Sequence, residues 1–491
     1  PGQTLGVTVD VASRAPGRVA VNGVTLAGFA SAGNCQPAAV TATEPYSCSG
    51  GVATPGDARL TDVYWQRPED AGRATFAADA PFGLPFRPTP FRARLDLEIA
   101  GVRVQRDLPV QFRYEGAGLV GEKRMELTVV PAFAVSVSPR IVVVPVRTAA
   151  TRAAATTREI RVTVINGAKG AASAEVRLKA PAGWRVTPPS TPLAFTREDE
   201  SITTRFAVAP PAGVKTGESE ITAEVVDSKV AESKPFTNGY QVIEYPHIQR
   251  RHKIIPATAT LKVIDVSVAP ALSVGYIMGV GDQVPPALQQ LGAMVTMIDP
   301  DEMAWGNLSK YHTIVTGVRA YERRADLRAN NHRLLEYARN GGTVIVQYNR
   351  QEFNQAQYGP YPATVSQDRI TDEHAPVKVL VPAHPVFNYP NKIGASDWAD
   401  WVQERGTYFL GQRDAKYIDL VEMEDPFPFN PGAKRGALVD TRYGKGRWMY
   451  VGLVLWRQLP SGTEGAYRLF ANLISLGKLP AAASKPIAVE K

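Results

Sequence analysis

Along the first half of the chain, apolar residues recur at alternate positions in short segments. Leu5 to Val11, Leu95 to Ile99, Val102 to Val110 and Met125 to Val130 are separated by Gly, Pro, Asn and Asp, and no helical period is sustained between them. This is the pattern of strands with one face on a core. Pro81, Pro85, Pro88 and Pro90 stand at segment ends, where a residue without an N–H suits turns and sheet edges and blocks helix. The pattern predicts a β-sandwich over residues 1–132. A second, immunoglobulin-like sandwich is predicted over 133–268. Phe133 to Val146 outlines a strand pair and Arg147 to Thr157 an Ala/Thr/Arg-rich loop. Alternation then returns in Glu159 to Ile165, Ala174 to Leu178, Ile202 to Val208 and Glu220 to Val226. Trp184, in the turn Pro181 to Val186, is expected to plug the space between the sheets, because a buried indole removes a large apolar area from water. A sugar-stacking role is the alternative.

The pattern changes near residue 270. Apolar runs at Ser273 to Met278, Ala293 to Ile298, Thr313 to Thr316 and Thr343 to Tyr348 alternate with helical periodicity at Val284 to Leu291 and Ala325 to Asn340. Asn340-Gly341-Gly342 is a helix stop. An antiparallel pair, Ala437 to Arg442 and Arg447 to Leu453, and a helix from about Gly465 to Leu476 follow. Strands alternating with helices predict an α/β, doubly wound, flavodoxin-like domain over 269–482, with a disordered tail at 483–491.

Composition narrows the class. The 491 residues are 44% hydrophobic and 21% charged, as in a water-soluble globular chain, and no run of about 18 apolar residues predicts a membrane span. A net charge of +8 is small for this length and carries no aromatic-interleaved basic stripe, so no nucleic-acid partner is expected. Arg250, Arg251, His252 and Lys253 form the densest basic cluster and read as a solvated linker between domains. Pro1 to Leu5 has neither the basic nor the apolar part of a signal peptide, and the start inside strand-like sequence predicts a processed chain or a piece of a longer one. Both cysteines, Cys35 and Cys48, lie in one Gly/Ser/Pro-rich segment. A disulfide is expected if the chain is exported, and two free thiols are the alternative.

In an open α/β sheet, ligands bind at the carboxyl ends of the strands. Here those ends carry Gly279, Gly281 and Asp282; Asp299; Gly317, Arg319 and Tyr321; and Tyr348 with Asn349. Asp282, Asp299, Arg319, Tyr321 and Asn349 therefore stand as candidate contacts for a polar ligand such as a sugar. The alternative makes Asp282 and Asp299 helix caps or turn formers. Gly279-Val280-Gly281 lacks the third glycine or lysine of a phosphate loop. The turn Tyr348-Asn349-Arg350 holds no nucleophile, and the domain has no cysteine. His384 can enter the cleft, with Asp397, Glu404 or Arg405 nearby. A catalytic set and a strong metal-ligand cluster are both missing from the pattern.

Several strings resemble the C-terminal region of large bacterial PIG-L (LmbE-like) deacetylases: YHTIVTGVRAYERRADLRANNHRLLEYARNGGTVIVQYN at 311–349, HPVFNYPNKIGASDWADWVQERGTYF at 384–409, PFGLPFRPTPFRARLDLEIAG at 81–101 and YEGAGLVGEKRMELTVVPAF at 114–133. The middle region, with its PAGW turn, resembles immunoglobulin-like modules found beside glycosidase catalytic domains. The last domain resembles the class I glutamine amidotransferase-like fold. The zinc-binding His-Pro-Asp-Asp motif of PIG-L enzymes is absent, since Val386 and Phe387 follow His384-Pro385; the amidotransferase cysteine and its His-x-Glu partner are absent too. The resemblance implies an accessory region acting on N-acetylated glycans or glycoconjugates in the periplasm or outside the cell. It implies no cofactor in this chain, and zinc in an N-terminal catalytic domain supplied in cis or in trans. A hydrolase using His384 in the cleft and a structural cell-surface protein are the alternatives.

Overall fold

The structure is a computed structural model that describes residues 1–14, 17–31, 33–67, 73–84, 86–116, 121–146, 157–230 and 234–480. Pro85, all but the last residue of the loop Arg147 to Thr157, and the tail 483–491 lie outside the described residues.

In the N-terminal unit, Thr4–Val11 pairs antiparallel with Tyr46–Ala53, and Ala38–Val40, Val19–Ala27, Arg92–Ile99 and Val102–Pro109 form a second sheet in that order. The two sheets close on one core in which Val7, Val9, Val21, Val52, Leu95 and Leu97 alternate with outward polar residues. Cys35 and Cys48 are joined by a disulfide that ties the Gly/Ser-rich loop to the strand Tyr46–Ala53.

The middle unit is a two-sheet sandwich. One sheet runs Phe133–Ser138, Arg158–Asn166, Ser201–Ala209, Arg185–Thr187. The other runs Ile141–Pro145, Thr258–Ile264, Gly217–Asp227, Ala172–Lys179, Ser190–Phe195. Ile160, Val162, Val164, Val176, Ile221 and Val225 are fully buried at every second position of three of these strands. Trp184 packs half-buried against the rim of this core.

A hairpin, Asn238–Ile243 with Arg251–Pro256, leaves the sandwich and docks on the N-terminal unit. The basic cluster lies here and is no solvated linker. Arg250 sits 4.5 Å over the Tyr114 ring, Arg251 4.6 Å over Phe86, and Lys253 5.1 Å over Trp65. Arg251 and Lys253 are two residues apart in one strand, so both reach the same side. Each cation is held by an aromatic face of the N-terminal unit.

The C-terminal unit holds a seven-stranded sheet in the order Met294–Met297, Ser273–Ile277, Thr313–Thr316, Thr343–Gln347, Gly446–Val451, Leu438–Tyr443, Ile418–Asp419. The first five strands are parallel; the last two are antiparallel to their neighbours. Helices Val284–Gln290 and Glu464–Ser475 cover one face, and the short helices between Pro300 and Arg339 cover the other.

The expected doubly wound α/β class is overturned. The chain is 41% strand and only 14% helix, so this parallel core is set in a mostly β protein. The expectation extended a few strand-helix alternations over the whole of 269–482. In fact the return from Thr343–Gln347 to Gly446–Val451 runs through 3-10 turns and small antiparallel sheets instead of a crossover helix. Prolines and short alternations in that stretch, as in Tyr358-Gly359-Pro360-Tyr361-Pro362, deny it a helical period. The helix expected from Ala325 to Asn340 is also two pieces, Ala325–Ala329 and Asn331–Arg339, broken at Asn330. No helix among the described residues is long and apolar enough to cross a membrane.

Candidate ligand-binding site at the strand ends

Asp282 is a structural pin. Its Oδ1 accepts from the Tyr276 hydroxyl at 2.7 Å and the Val284 N–H at 3.1 Å, and its Oδ2 accepts from the Val318 N–H at 3.1 Å. One carboxylate thus ties together a strand, the start of a helix and the neighbouring strand-end loop. The loops touch so closely that a Cβ on Gly279 would lie 1.9 Å from the Val318 carbonyl oxygen, which is why glycine stands there. Asp299 caps the helix Pro300–Trp305, accepting from the Glu302 N–H at 2.8 Å, and is exposed.

Tyr321 and Asn349 belong to the core. Tyr321 is fully buried, donates to Asn331 Oδ1 at 2.7 Å, and packs against Phe353 and Tyr358. Asn349 accepts from the Tyr321 N–H at 3.2 Å and donates to the Gln347 carbonyl at 2.9 Å. Arg319 has φ +54° and donates its N–H to the Tyr348 carbonyl at 2.9 Å; its Nε donates to Glu322 at 2.6 Å.

His384 does not enter the cleft. It is 2% exposed and bonded to the Leu438–Tyr443/Gly446–Val451 hairpin, whose Arg447 lies at the amino end of its strand. Nδ1 accepts from the Val386 N–H at 3.1 Å, which leaves the proton on Nε2 to donate to Asp440 Oδ2 at 3.0 Å. Arg447 Nη1 lies 3.3 Å from the same carboxylate oxygen. Burial lowers the His384 pKa below the ordinary value despite the Asp440 contact. Burial alone would raise the Asp440 carboxyl, but the Arg447 charge and the His384 hydrogen bond outweigh it and hold it below the usual range.

The neighbours suggested for His384 are engaged elsewhere. Asp397 caps a turn through the Gly394 N–H at 2.7 Å, and Glu404 pairs with Arg369 at 2.8 Å and Arg457 at 3.1 Å. Arg405 donates to the Ala375 carbonyl at 3.0 Å, and burial pulls its pKa down to about 10. The zinc that the resemblance assigns to another domain finds no donor set: among the described residues no three His, Cys, Asp or Glu side chains are grouped to hold a metal ion.

The strand ends do assemble a different set. Tyr348, itself buried, stacks on Tyr408 at 5.6 Å and on Trp456 at 6.0 Å, making a three-ring row from two loops and the short helix Leu455–Gln458. Arg350 lies 5.8 Å from the Tyr408 ring centre and Arg457 4.5 Å from that of Trp456. Burial raises the Tyr348 phenol, and the charges of Arg319, Arg350 and Arg457 partly offset this. Arg350 Nε, Glu352 Oε2 and Trp456 Nε1 are buried atoms without a hydrogen-bond partner. Tyr408, like Arg319, has a left-handed backbone (φ +54°), a conformation that a non-glycine residue keeps only where its surroundings enforce it. Partly exposed aromatic faces such as those of Tyr408 and Trp456 can cover the C–H surface of a sugar ring. Of this set the sequence pattern singled out only Tyr348; Arg350 and Trp456 were within reach of the strand-end rule, and Tyr408 was not.

Residues 152–226 match the NPCBM-associated NEW3 domain of alpha-galactosidase. The matched stretch holds six strands of the middle sandwich, from Arg158–Asn166 to Gly217–Asp227. Among solved structures, the cold-adapted β-galactosidase from Rahnella sp. R3 is 16% identical, with a TM-score of 0.27 over 42% of this chain and 31% of that one. The β-galactosidase from Bacillus circulans sp. alkalophilus is 14% identical, with a TM-score of 0.26 over 40% and 30%. The exo-β-1,4-mannosidase Op5Man5 from Opitutaceae bacterium strain TAV5 is 11% identical, with a TM-score of 0.26 over 41% and 35%. The chain thus spans about a third of the length of these proteins. No curated protein matches it.

Proposed function

We propose that this chain is a carbohydrate-related accessory region of a larger hydrolase and performs no catalysis itself. The NEW3 match in the middle sandwich carries this reading. Two features of the C-terminal unit support it. The partly exposed Tyr408 and Trp456 rings, backed by the buried Tyr348, are of the kind on which a sugar stacks, and the one imidazole considered as a base, His384, has both ring nitrogens engaged inside the protein. On the finer reading the enzyme served is a PIG-L-type deacetylase and the ligand an N-acetylated glycan or glycoconjugate. Zinc and the catalytic residues then come from a domain in cis or in trans. The Cys35–Cys48 disulfide favours the periplasm or the cell exterior, where such bonds persist.

Calorimetric titration with chitohexaose, alongside an assay of acetate release, tests both levels. The chain should bind the oligosaccharide and release no acetate, and Trp456→Ala should weaken binding about tenfold, the loss of ~1.4 kcal/mol expected when one stacking face goes. Binding of galacto- or manno-oligosaccharides in place of chitohexaose would keep the carbohydrate reading and remove the deacetylase one. Acetate release by the chain alone, lost in His384→Ala with the fold intact, would overturn the accessory reading. Failure to bind any glycan would leave a structural surface protein.

A further inference from the structure

Three neighbouring parallel strands each send an arginine from beyond their carboxyl ends. Arg319 follows Thr313–Thr316, Arg350 follows Thr343–Gln347 and Arg457 follows Gly446–Val451, and these strands lie side by side in the sheet. The charges of all three reach the same buried ring, Tyr348. The carboxyl edge is where an open parallel sheet receives its ligands. Guanidinium groups suit oxyanions there, because their fixed N–H fork matches the paired oxygens of a carboxylate.

The three arginines are not equivalent. Arg319 spends Nε and Nη2 on Glu322, and Arg457 Nη1 lies 3.1 Å from Glu404, which also holds Arg369 at 2.8 Å. Arg350, on the middle strand, has no ion pair and no hydrogen bond to its guanidinium among the described residues; its Nε is buried, whereas Nη1 and Nη2 are not. Glu352 lies within electrostatic reach of Arg319 and keeps Oε2 buried without a partner. Four guanidinium groups therefore meet three carboxylates here. One positive charge is left over, and Arg350 is the group with outer nitrogens unspent. A cation partly withdrawn from water without a counter-ion is costly and asks for one.

We propose that the glycan received at the Tyr408 and Trp456 rings is an acidic one, a sugar chain bearing carboxylate groups, and that Arg350 takes one of those carboxylates. The inference deepens the carbohydrate reading and rests on it. Arg350 stands 5.8 Å from the Tyr408 ring centre, the scale of one sugar residue. A residue lying on that ring can thus present its carboxylate to Nη1 and Nη2 of the same arginine. A single unmatched charge calls for a monoanion; a phosphate dianion would need more neutralisation than this edge supplies. Arg319 and Arg457 add positive potential from the two flanking strands without leaving their own partners.

The hyaluronan hexasaccharide, in which glucuronate alternates with N-acetylglucosamine, is a fitting probe, and chitohexaose is its neutral N-acetylated counterpart. In calorimetric titrations of the full chain at low salt, the acidic glycan should bind about tenfold more tightly, the gain expected from one charge-assisted pair. Carboxyl-reduced hyaluronan hexasaccharide should lose that preference. Arg350→Gln should lose it as well, with the chitohexaose affinity kept within about twofold, because the rings remain. Arg106→Gln makes the same charge change at an exposed position of the N-terminal unit and should keep the preference. Far-UV circular dichroism and the thermal midpoint verify that each variant is folded, and the carboxyl-reduced glycan decides the matter on the unaltered chain if Arg350→Gln is not. Equal or weaker binding of hyaluronan, or a preference that survives carboxyl reduction, overturns the acidic ligand while binding of chitohexaose upholds the carbohydrate reading. A preference that survives in folded Arg350→Gln, or falls equally in Arg106→Gln, overturns the role of Arg350. Binding of neither glycan overturns the carbohydrate reading and this inference with it.

Discussion

Asp440→Asn separates a structural His384 from a catalytic one. The carboxylate is 5% exposed; it accepts from His384 Nε2 at 3.0 Å and faces Arg447 Nη1 at 3.3 Å, with Arg447 itself 4% exposed. At 3.3 Å the ion pair is worth about 5 kcal/mol at an effective dielectric of ~20, a gain that offsets the cost of taking both ions out of water. Asparagine keeps the shape and removes the charge. Arg447 is then a buried cation without a counter-ion, and breaking such a pair from one side costs about 3–5 kcal/mol. The amide brings a second penalty. If its oxygen faces His384, its NH2 replaces Asp440 Oδ1, a buried atom that already has no partner. At roughly 2–4 °C per kcal/mol for a unit of this size, the thermal transition of the C-terminal unit should fall by roughly 6–20 °C. Scanning calorimetry on the intact chain at neutral pH measures this. Adding Arg447→Met removes the stranded cation and should recover part of the loss. A shift under about 2 °C in Asp440→Asn would refute the structural reading and return His384 to the list of candidate bases.

Three further outcomes follow from the same geometry. The folded pKa of His384 lies below its unfolded value, so the unfolded chain takes up the proton first as the pH falls. The stability present at pH 7 should therefore be lost as the pH drops below about 6.5, by at most ~1.4 kcal/mol per pH unit from this residue. Asp440 adds a loss of the same sign below about pH 4. Thermal midpoints that stay flat between pH 7 and pH 5 would contradict this. The Cys35–Cys48 bond closes a short loop, so Cys35→Ala/Cys48→Ala should destabilise the N-terminal unit by about 2–3 kcal/mol while the C-terminal transition stays in place; calorimetry resolves the two. Arg251→Ala removes both the Phe86 contact and the Glu126 ion pair, and should loosen the N-terminal unit from the hairpin by about 1–2 kcal/mol, read as earlier proteolysis of residues 1–130 with the middle sandwich intact.

The strands were the legible part of this chain because alternation is a local property. Ile160, Val162 and Val164 announce their buried face within five residues, whatever else the protein does. The basic cluster was misread for the opposite reason. Its charge is local, but the rings that receive it, Trp65, Phe86 and Tyr114, lie more than a hundred residues earlier and form no pattern with it. The α/β expectation failed at an intermediate range. Each strand-helix step was readable, but their weight in the whole chain depended on the stretch from Tyr348 to Lys445, where short irregular alternation predicts nothing beyond itself.

The strand ends show how one placement rule gathers residues of two different kinds. Polar side chains next to a sheet's carboxyl edge have two demands on them: to satisfy the loop backbone and to meet a ligand. Asp282 and Asn349 each have their oxygens engaged by backbone N–H or hydroxyl donors, so they shape the edge and have little left for a visitor. Arg350, Glu352 and Trp456 keep buried polar atoms with no partner. Residue type cannot separate the two groups, because an aspartate that pins loops and one that binds a sugar look alike in sequence. The separation comes from counting hydrogen bonds and exposure, and on those counts the candidate surface is the pair of partly exposed rings Tyr408 and Trp456. Asp282 and Asn349, which the pattern singled out, belong to the frame of the strand ends.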